Sequence, residues 1–306
     1  MPAPEVKAIL DFDGTLTDET KQAAELAVIA KSMLTEEILN VDPAEIDHLY
    51  EVTKEKILQT PHLYLWQVNS LPACYAYEGA YLLNTVILQR ILQDNPHFLS
   101  TISHSFPADN LDSVTKCVNY LFHEGSYHVS PHFLEGTKPL LLDLLAHGQI
   151  EPVILTNSET RKIAKNLAQL EIGEKGANHS FDHEIGILGD TKQYYLDPAW
   201  NQHFLHPQHG SIQVLPINDL FSIDLRRPIY HQALNEEIDK GYKQIAIAAD
   251  GFSLAGALPL TMDLNFFLIT TDFTPDWAKD YVDSHPKGQV VTNLQELKQA
   301  IYSLIA

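Results

Sequence analysis

Apolar residues occur in two kinds of stretch along the 306-residue chain. Some are short continuous runs, typical of buried parallel strands, and others recur every three or four positions, typical of helices. We predict strands at 6–10, 152–155, 244–249, 264–269 and 289–291. We predict helices at 139–147, 159–170, 230–240 and 294–305. This alternation predicts an α/β fold with a doubly wound parallel sheet that has helices on both faces.

The stretch from residue 19 to residue 132 has a different pattern. Its apolar residues are at helical spacing throughout, for example at Ala23, Ala27 and Ala30, and prolines separate the runs as they do at helix starts and loops. We predict a helical domain of roughly five helices at 19–132, inserted into an α/β core formed by 1–18 and 133–306. Within that core, 173–225 is rich in Gly, Pro, His and aromatic residues, and we expect an irregular insertion there.

Composition limits the partners. The 20 Lys and Arg residues against 40 Asp and Glu residues give a net charge of −20, which argues against nucleic acids and anionic membranes as main partners. No apolar run is long enough for a transmembrane span, and the N-terminus does not resemble a signal peptide. We therefore expect a cytoplasmic protein with Cys74 and Cys117 as reduced thiols, although export by another route stays open.

Two carboxylates directly follow the first predicted strand. Asp11 and Asp13 are separated by one residue and followed by Gly14. In an open α/β sheet, ligands bind at the carboxyl ends of the strands, so both carboxylates are expected at a ligand site. Asp11, at the strand end, is expected to be fixed, whereas the turn at Gly14 can bring Asp13 back over the site.

This stretch, D-F-D-G-T-L-T-D, resembles the first motif of the haloacid dehalogenase (HAD) superfamily, most of whose members are Mg-dependent phosphohydrolases. The resemblance implies that Asp11 is the nucleophile and Asp13 the acid/base. The motif contains a second Asp, Asp13, and in this respect it resembles the motif of the phosphatase branch rather than that of the dehalogenases. It also implies a Rossmann-like core with a cap domain, and 19–132 resembles the all-helical C1-type cap by position and pattern alone.

Two further segments resemble the phosphate-binding motifs of the family. V-I-L-T-N-S-E-T resembles the second motif, which implies that Thr156 and the adjacent Asn157 bind the phosphoryl group. R-P-I-Y-H-Q-A-L resembles the third motif, with Arg227 where the family has a Lys. Arg keeps the charge and can bind phosphate oxygens with two N–H groups, but it is bulkier than Lys. Lys192, in G-D-T-K, is the alternative for this role.

The fourth motif is only partly present. A-D-G-F-S-L-A resembles it, with Asp250 as its first acid at the end of a predicted strand. The second acid of the family is missing, because Leu254 and Ala255 occupy the two candidate positions. The resemblance implies that Mg²⁺ binds the carboxylates of Asp11 and Asp250 and the backbone carbonyl of Asp13. Such oxygen ligands suit a hard cation, which would offset the repulsion between a carboxylate nucleophile and a phosphate dianion.

The resemblance therefore implies a Mg²⁺-dependent phosphomonoester hydrolase that forms an aspartyl-phosphate on Asp11 and acts on a small phosphorylated metabolite. The departures at the third and fourth motifs leave a second interpretation open. In it, the chain is a catalytically degenerate module that binds a phosphate group or a protein partner. A phosphomutase, which would return the phosphoryl group to the substrate, is a third possibility.

Overall fold

The structure of the protein is a computed structural model that describes residues 4–305. These residues divide into two compact units. One contains 4–18 together with 133–305, and the other is Glu19–His132.

Thirteen strands occur among residues 4–305. In chain order they are β1 (Val6–Leu10), β2 (Leu65–Val68), β3 (Leu71–Tyr75), β4 (Ile150–Leu155), β5 (Ile172–Glu174), β6 (His183–Leu188), β7 (Phe204–His206), β8 (Gly210–Ile212), β9 (Val214–Pro216), β10 (Ser222–Asp224), β11 (Gln244–Ala249), β12 (Asn265–Ile269) and β13 (Gly288–Val291).

Eleven α-helices occur in the same residues. They are α1 (Glu19–Ser32), α2 (Pro43–Gln59), α3 (Ala80–Asp94), α4 (Pro96–Ser105), α5 (Ser113–Ser126), α6 (Thr137–Ala146), α7 (Thr160–Leu167), α8 (Pro228–Ile238), α9 (Ala257–Thr261), α10 (Asp276–Ser284) and α11 (Leu294–Tyr302). Helical segments of the π type lie at Met33–Leu39 and Phe252–Gly256, and three-residue 3₁₀ turns lie at Pro61–Leu63, Ala76–Glu78 and Ala168–Leu170.

The first unit is built on a seven-stranded sheet with the order β13-β12-β11-β1-β4-β6-β5. Every pairing in this sheet is parallel. The central strand β1 is buried along its whole length, and Ile9 lies between Ile247 of β11 and Val153 of β4. The sequence prediction of a parallel α/β sheet is therefore confirmed.

The two faces of this sheet pack against different helices. Val6, Ala8 and Leu10 contribute to a core that includes residues of α6, α7 and α11. Ile9 contributes to a second core that includes residues of α8, α9 and α10. Because alternate residues of a strand point to opposite faces, one apolar strand supplies both cores. The sheet is thus doubly wound, as predicted.

The second unit, Glu19–His132, contains the five helices α1 to α5, but it is not entirely helical. β2 and β3 form an antiparallel hairpin within it. Asn69 and Ser70 both have positive φ angles, 53° and 63°, which fit a two-residue hairpin turn that follows the strand twist. The prediction of an all-helical domain is therefore wrong at this hairpin.

The segment 173–225 is also more regular than predicted. β5 and β6 extend the main sheet at one edge, and β7 to β10 form two antiparallel pairs. Gly186 interrupts the apolar run of β6, yet its lack of a side chain suits the strand, because an added Cβ would lie 3.2 Å from Val153 of β4. The expectation of an irregular insertion is thus wrong for the two strands that join the sheet.

Cys74 and Cys117 are buried and form no disulfide. Burial raises the pKa of the Cys117 thiol to about 12. Among residues 4–305, no helix has the length and apolar character that crossing a membrane requires.

Candidate active site

Asp11 directly follows β1 at the carboxyl end of the main sheet. Its main-chain N–H donates to Ala248 O over 2.9 Å, which continues the pairing with β11 by one residue. Its Oδ1 accepts the N–H of Phe12 over 2.7 Å. The fully buried Phe12 ring packs edge-on against Phe133, with ring centroids 6.1 Å apart. The backbone that carries Asp11 is thus fixed on both sides.

Asp250 follows the neighbouring strand β11 and packs against the loop that carries Asp11 and Asp13. Gly14, in this loop, has a φ of +77°. A Cβ added at Gly14 would lie 2.1 Å from the Asp250 carboxylate, so only glycine allows the carboxylate to approach this closely. Asp250 itself is buried. The structure therefore brings together the first-motif loop and the fourth-motif acid.

Asp13 is held by a residue of the second motif. The Ser158 hydroxyl donates to Asp13 Oδ2 over 2.8 Å, and the Ser158 N–H donates to Thr156 Oγ1 over 3.2 Å. The other carboxylate oxygen of Asp13 is buried and has no hydrogen-bond partner within residues 4–305. Buried polar atoms normally have partners, so an unmatched carboxylate oxygen in this position suits a site that receives a ligand.

Thr156 and Asn157 follow β4, and both contact the segment after β6. Thr191 donates twice to Thr156 O, from its hydroxyl over 2.8 Å and from its N–H over 3.2 Å. Gln193 donates its N–H to Asn157 Oδ1 over 2.7 Å, and Asn157 Nδ2 donates to Gln193 Oε1 over 3.3 Å. The two predicted phosphate-binding residues are therefore fixed by the 189–193 segment.

Arg227 immediately precedes α8 and is 1% exposed. Its Nε donates to Asp224 O over 3.1 Å, and its Nη1 donates to Gln193 O. Lys192, the alternative cation, is exposed and has a φ of 46°. Arg227 is therefore the buried cation of the two. It donates a hydrogen bond to Gln193, which in turn contacts Asn157.

Tyr230, on α8, lies close enough to Asp11 and Arg227 to interact with both charges. Burial raises the pKa of the Tyr230 hydroxyl, the charge of Asp11 raises it further, and the charge of Arg227 opposes both. The hydroxyl donates to Ala255 O over 2.8 Å. Ala255 lies in the helical turn Phe252–Gly256, where the family's second acid is missing. In this chain a tyrosine from α8 holds that turn.

The oxygen donors at this edge fit the predicted magnesium ion. Asp11 and Asp250 directly follow the adjacent parallel strands β1 and β11, and the Asp250 carboxylate lies against the backbone at Gly14. Carboxylate and carbonyl oxygens are the ligands that Mg²⁺ prefers. Within residues 4–305 no group of three or more His, Cys, Asp or Glu side chains has an arrangement that could hold a metal. The predicted magnesium ligands differ from such a group, because they are only two carboxylates, of Asp11 and Asp250, and the backbone carbonyl of Asp13.

Sequence reasoning missed Ser158, Thr191 and Gln193. Ser158 is 145 residues from Asp13, and Gln193 is 36 residues from Asn157. No local pattern reports such distant contacts. The one available signal was the short motif G-D-T-K, which drew attention to Lys192 rather than to its two buried neighbours.

No family model matches the chain, and no curated protein is similar to it in sequence. Three solved structures illustrate its structural similarities. The Bacillus subtilis protein YfnB, named as a HAD-hydrolase and bound to magnesium, is 12% identical with a TM-score of 0.47, covering 98% of this chain and 99% of its own. The 2-haloacid dehalogenase of Pseudomonas syringae is 14% identical with a TM-score of 0.45, covering 98% and 99%. A predicted phosphatase from Clostridium acetobutylicum is 13% identical with a TM-score of 0.43, covering 98% and 100%.

The first two of these names belong to the HAD superfamily that the sequence motifs resemble. Hydrolase, dehalogenase and phosphatase all appear among the three. With TM-scores below 0.5, none of these similarities assigns a reaction or a metal to this chain.

Proposed function

We propose that this protein is a Mg²⁺-dependent phosphomonoester hydrolase that forms an aspartyl-phosphate on Asp11. The observation that carries the proposal is the convergence of Asp11, Asp13 and Asp250 at one end of the main sheet, with a buried Arg227 in the same unit. A net charge of −20 supports a small phosphorylated ester as substrate rather than a nucleic acid.

In the first step, an Asp11 carboxylate oxygen attacks the phosphorus atom in line with the ester oxygen. The new O–P bond forms as the ester P–O bond breaks, and Asp13 gives its proton to the departing alkoxide. When bound, Mg²⁺ supplies the positive charge that offsets the repulsion between the carboxylate and the phosphate oxygens.

In the second step, Asp13 accepts a proton from water, and the water oxygen attacks the phosphorus of the aspartyl-phosphate. The Asp11 carboxylate leaves, and inorganic phosphate is the product. Asp13 must therefore stay close to the reacting atoms in both steps. Its hydrogen bond from Ser158 provides a fixed point for one carboxylate oxygen, while the other keeps no partner within residues 4–305.

Thr156, Asn157 and Arg227 would bind the phosphoryl oxygens. Asn157 Nδ2 uses one of its two N–H groups for Gln193, which leaves the other for an acceptor. Arg227 uses Nε and Nη1 for backbone carbonyls, and its positive charge favours a dianionic ligand. These groups suit binding of a phosphate group before and after the transfer.

The test is phosphate release from an aryl phosphate, with Mg²⁺ and with a chelator, by the wild-type protein, Asp11→Asn and Asp219→Asn. Asp219 is an exposed carboxylate of the same unit and serves as the matched control. We expect metal-dependent release that falls by at least about 10³-fold in Asp11→Asn and stays unchanged in Asp219→Asn. Equal release by wild type and Asp11→Asn contradicts the proposal.

A second function is favoured by the apolar residues at the fourth motif. Leu254 and Ala255 replace the second acid, which suits a degenerate module that binds a phosphate group or a protein partner without turnover. Binding of inorganic phosphate without hydrolysis of any phosphomonoester, at any Mg²⁺ concentration, identifies that case. Transfer of the phosphoryl group to a second position of the substrate, rather than to water, identifies a phosphomutase.

A further inference from the structure

The segment Gly189–Gln193 has a backbone and burial pattern that local sequence does not explain. Asp190 and Lys192 have positive φ angles, 55° and 46°, and both are exposed. Between and after them, Thr191 and Gln193 are buried. A non-glycine residue in the left-handed region is strained, and two such residues two positions apart persist only where the surroundings hold them.

The surroundings are the phosphate-binding turn after β4. A Cβ at Gly189 would lie 2.4 Å from the Thr160 backbone nitrogen, and the Asp190 N–H donates to Ser158 O over 3.0 Å. The Thr191 hydroxyl donates to Thr156 O over 2.8 Å. The segment therefore lies directly against the second motif from Thr156 to Thr160.

Within this segment, Gln193 contacts both Asn157 and Arg227, two of the predicted phosphate-binding residues. It is 1% exposed. Its N–H and its side-chain oxygen contact the two ends of the Asn157 amide, and its carbonyl oxygen accepts from the Arg227 guanidinium. Asn157 follows β4, whereas Arg227 precedes α8. Because Gln193 contacts both, it links the position of Asn157 to that of Arg227.

We propose that Gln193 is a positioning residue of the phosphate site, which holds Asn157 and Arg227 in the arrangement that binds a phosphoryl group. This inference rests on the proposed function, because it takes Asn157 and Arg227 as phosphate ligands. It accounts for an arginine at a position where the resemblance implies a lysine. A guanidinium with several N–H groups can bind backbone carbonyls and still present charge to a ligand.

The test compares Gln193→Met with Gln208→Met, the same change at an exposed position of the same unit. Gln193→Met keeps the length of the side chain and removes the amide oxygen that accepts from Asn157, while the main-chain contacts to Asn157 and Arg227 stay in place. Inorganic phosphate, with Mg²⁺ present, is the binding probe, and an aryl phosphate is the substrate. We expect Gln193→Met to weaken phosphate binding and raise KM by about three- to tenfold, with a smaller change in kcat. Gln208→Met should match the wild type in both.

A double-mutant cycle with Asn157→Ala separates positioning from general support of the fold. If Gln193 acts through Asn157, the double variant loses no more phosphate affinity than the more affected single variant. Additive losses, or a lower Tm with unchanged phosphate affinity, overturn the inference and leave the proposed function intact. Gln193→Ala gives a second removal of the amide if the methionine variant does not fold.

The outcomes for the two proposals differ. If the wild type hydrolyses the aryl phosphate and Gln193→Met does so with unchanged KM, the role of Gln193 is wrong and the hydrolase stands. If the wild type neither binds inorganic phosphate nor hydrolyses any phosphomonoester, the proposed function is wrong and the role of Gln193 falls with it.

Discussion

Both ends of the main sheet carry charged residues, but the pairing of opposite charges differs between the two ends. At the amino end, Lys7 of β1 has a side chain that is only 3% exposed, and its Nζ lies 3.2 Å from Glu237 and 3.5 Å from Glu151. Tyr242 donates to Glu151 over 2.6 Å. At the carboxyl end, the predicted site combines three carboxylates with one buried guanidinium. Lys175 also pairs with Glu151, and Lys240 with Glu237, so each acid at the first end has lysines beside it. At the second end the acids outnumber the cation.

This difference matches the interpretation of the amino end as stabilising and of the carboxyl end as the candidate site. A buried charge is costly unless an opposite charge or hydrogen bonds surround it, and the Lys7 cluster meets that condition. Grouped carboxylates repel one another, so their convergence at the carboxyl end is unfavourable for the fold alone. Such an excess of charge is typical of sites that bind a cation or a charged substrate.

Among the variants that compare the two ends of the sheet, Gly14→Ala at the carboxyl end is expected to have the largest effect. The new methyl group would lie 2.1 Å from an Asp250 carboxylate oxygen, so the carboxylate has to move by more than 1 Å. We expect the hydrolysis rate to fall by about 10²-fold or more, because a displacement of that size costs about this factor. Phosphate release, measured beside the Tm, checks the prediction.

Gly176→Ala is the matched control. Gly176 has a similar positive φ of 82°, but a Cβ there would meet no atom within 4 Å. Both variants carry the backbone strain of a non-glycine residue, and only Gly14→Ala displaces the carboxylate. Similar activity in the two variants would show that the packing of Asp250 on Gly14 is not needed for the reaction.

The next effect is expected at the amino end, from Lys7→Met. Glu237, which is 2% exposed, would keep Lys240 at 2.6 Å but lose its buried partner. We expect the free energy of unfolding to fall by about 3 kcal/mol, at the lower end of the range for breaking a buried pair. Urea unfolding measures this loss, and the activity per folded molecule should not change.

Lys243→Met is the control at the same end. Lys243 also forms an ion pair, with Glu5 at 2.9 Å, but its side chain is 67% exposed. We expect its removal to change the free energy of unfolding by less than about 1 kcal/mol. Equal losses in the two lysine variants would mean that burial does not distinguish the pairs.

The sequence was most informative where structure depends on local pattern. β1 and β11 begin and end where predicted, because continuous apolar runs define them, and the acids that directly follow them were placed at the correct end of the sheet. The hairpin of β2 and β3 was missed, because its Asn69-Ser70 turn lacks the glycine that usually marks such turns.

The network around the site could not be predicted in the same way. β6 was not recognised, because His183 and Glu184 at its start and Gly186 within it interrupt the apolar pattern. The contacts of Gln193 depend on where β6 brings the chain back to β4 and α8. A residue whose role depends on contacts between distant parts of the chain is not marked by the sequence around it. Asp11 and Asp250 are marked, because each directly follows an apolar strand.

The smallest effect is expected from the acid titration of Glu151 at the amino end. Burial raises the pKa of Glu151, but the hydrogen bond from Tyr242 and the charges of Lys7 and Lys175 outweigh it and lower the pKa from 4.5 to about 2. A lowered folded-state pKa stabilises the fold above the unfolded-state pKa, and this stabilisation is lost as the pH falls through the folded-state value. Glu151 therefore stabilises the fold above about pH 4.5 and ceases to do so near pH 2.

Glu151→Gln isolates this contribution from the other acids of the chain. We expect wild type to exceed the variant in free energy of unfolding by about 1–2 kcal/mol at pH 6, discounted because Glu151 is partly exposed. The difference should shrink steadily between pH 4.5 and pH 2, as urea unfolding at several pH values would show. A difference that stays constant with pH would mean that the amino end is stabilised by packing rather than by balanced charge, and the contrast between the two ends would then rest on the carboxylates of the site alone.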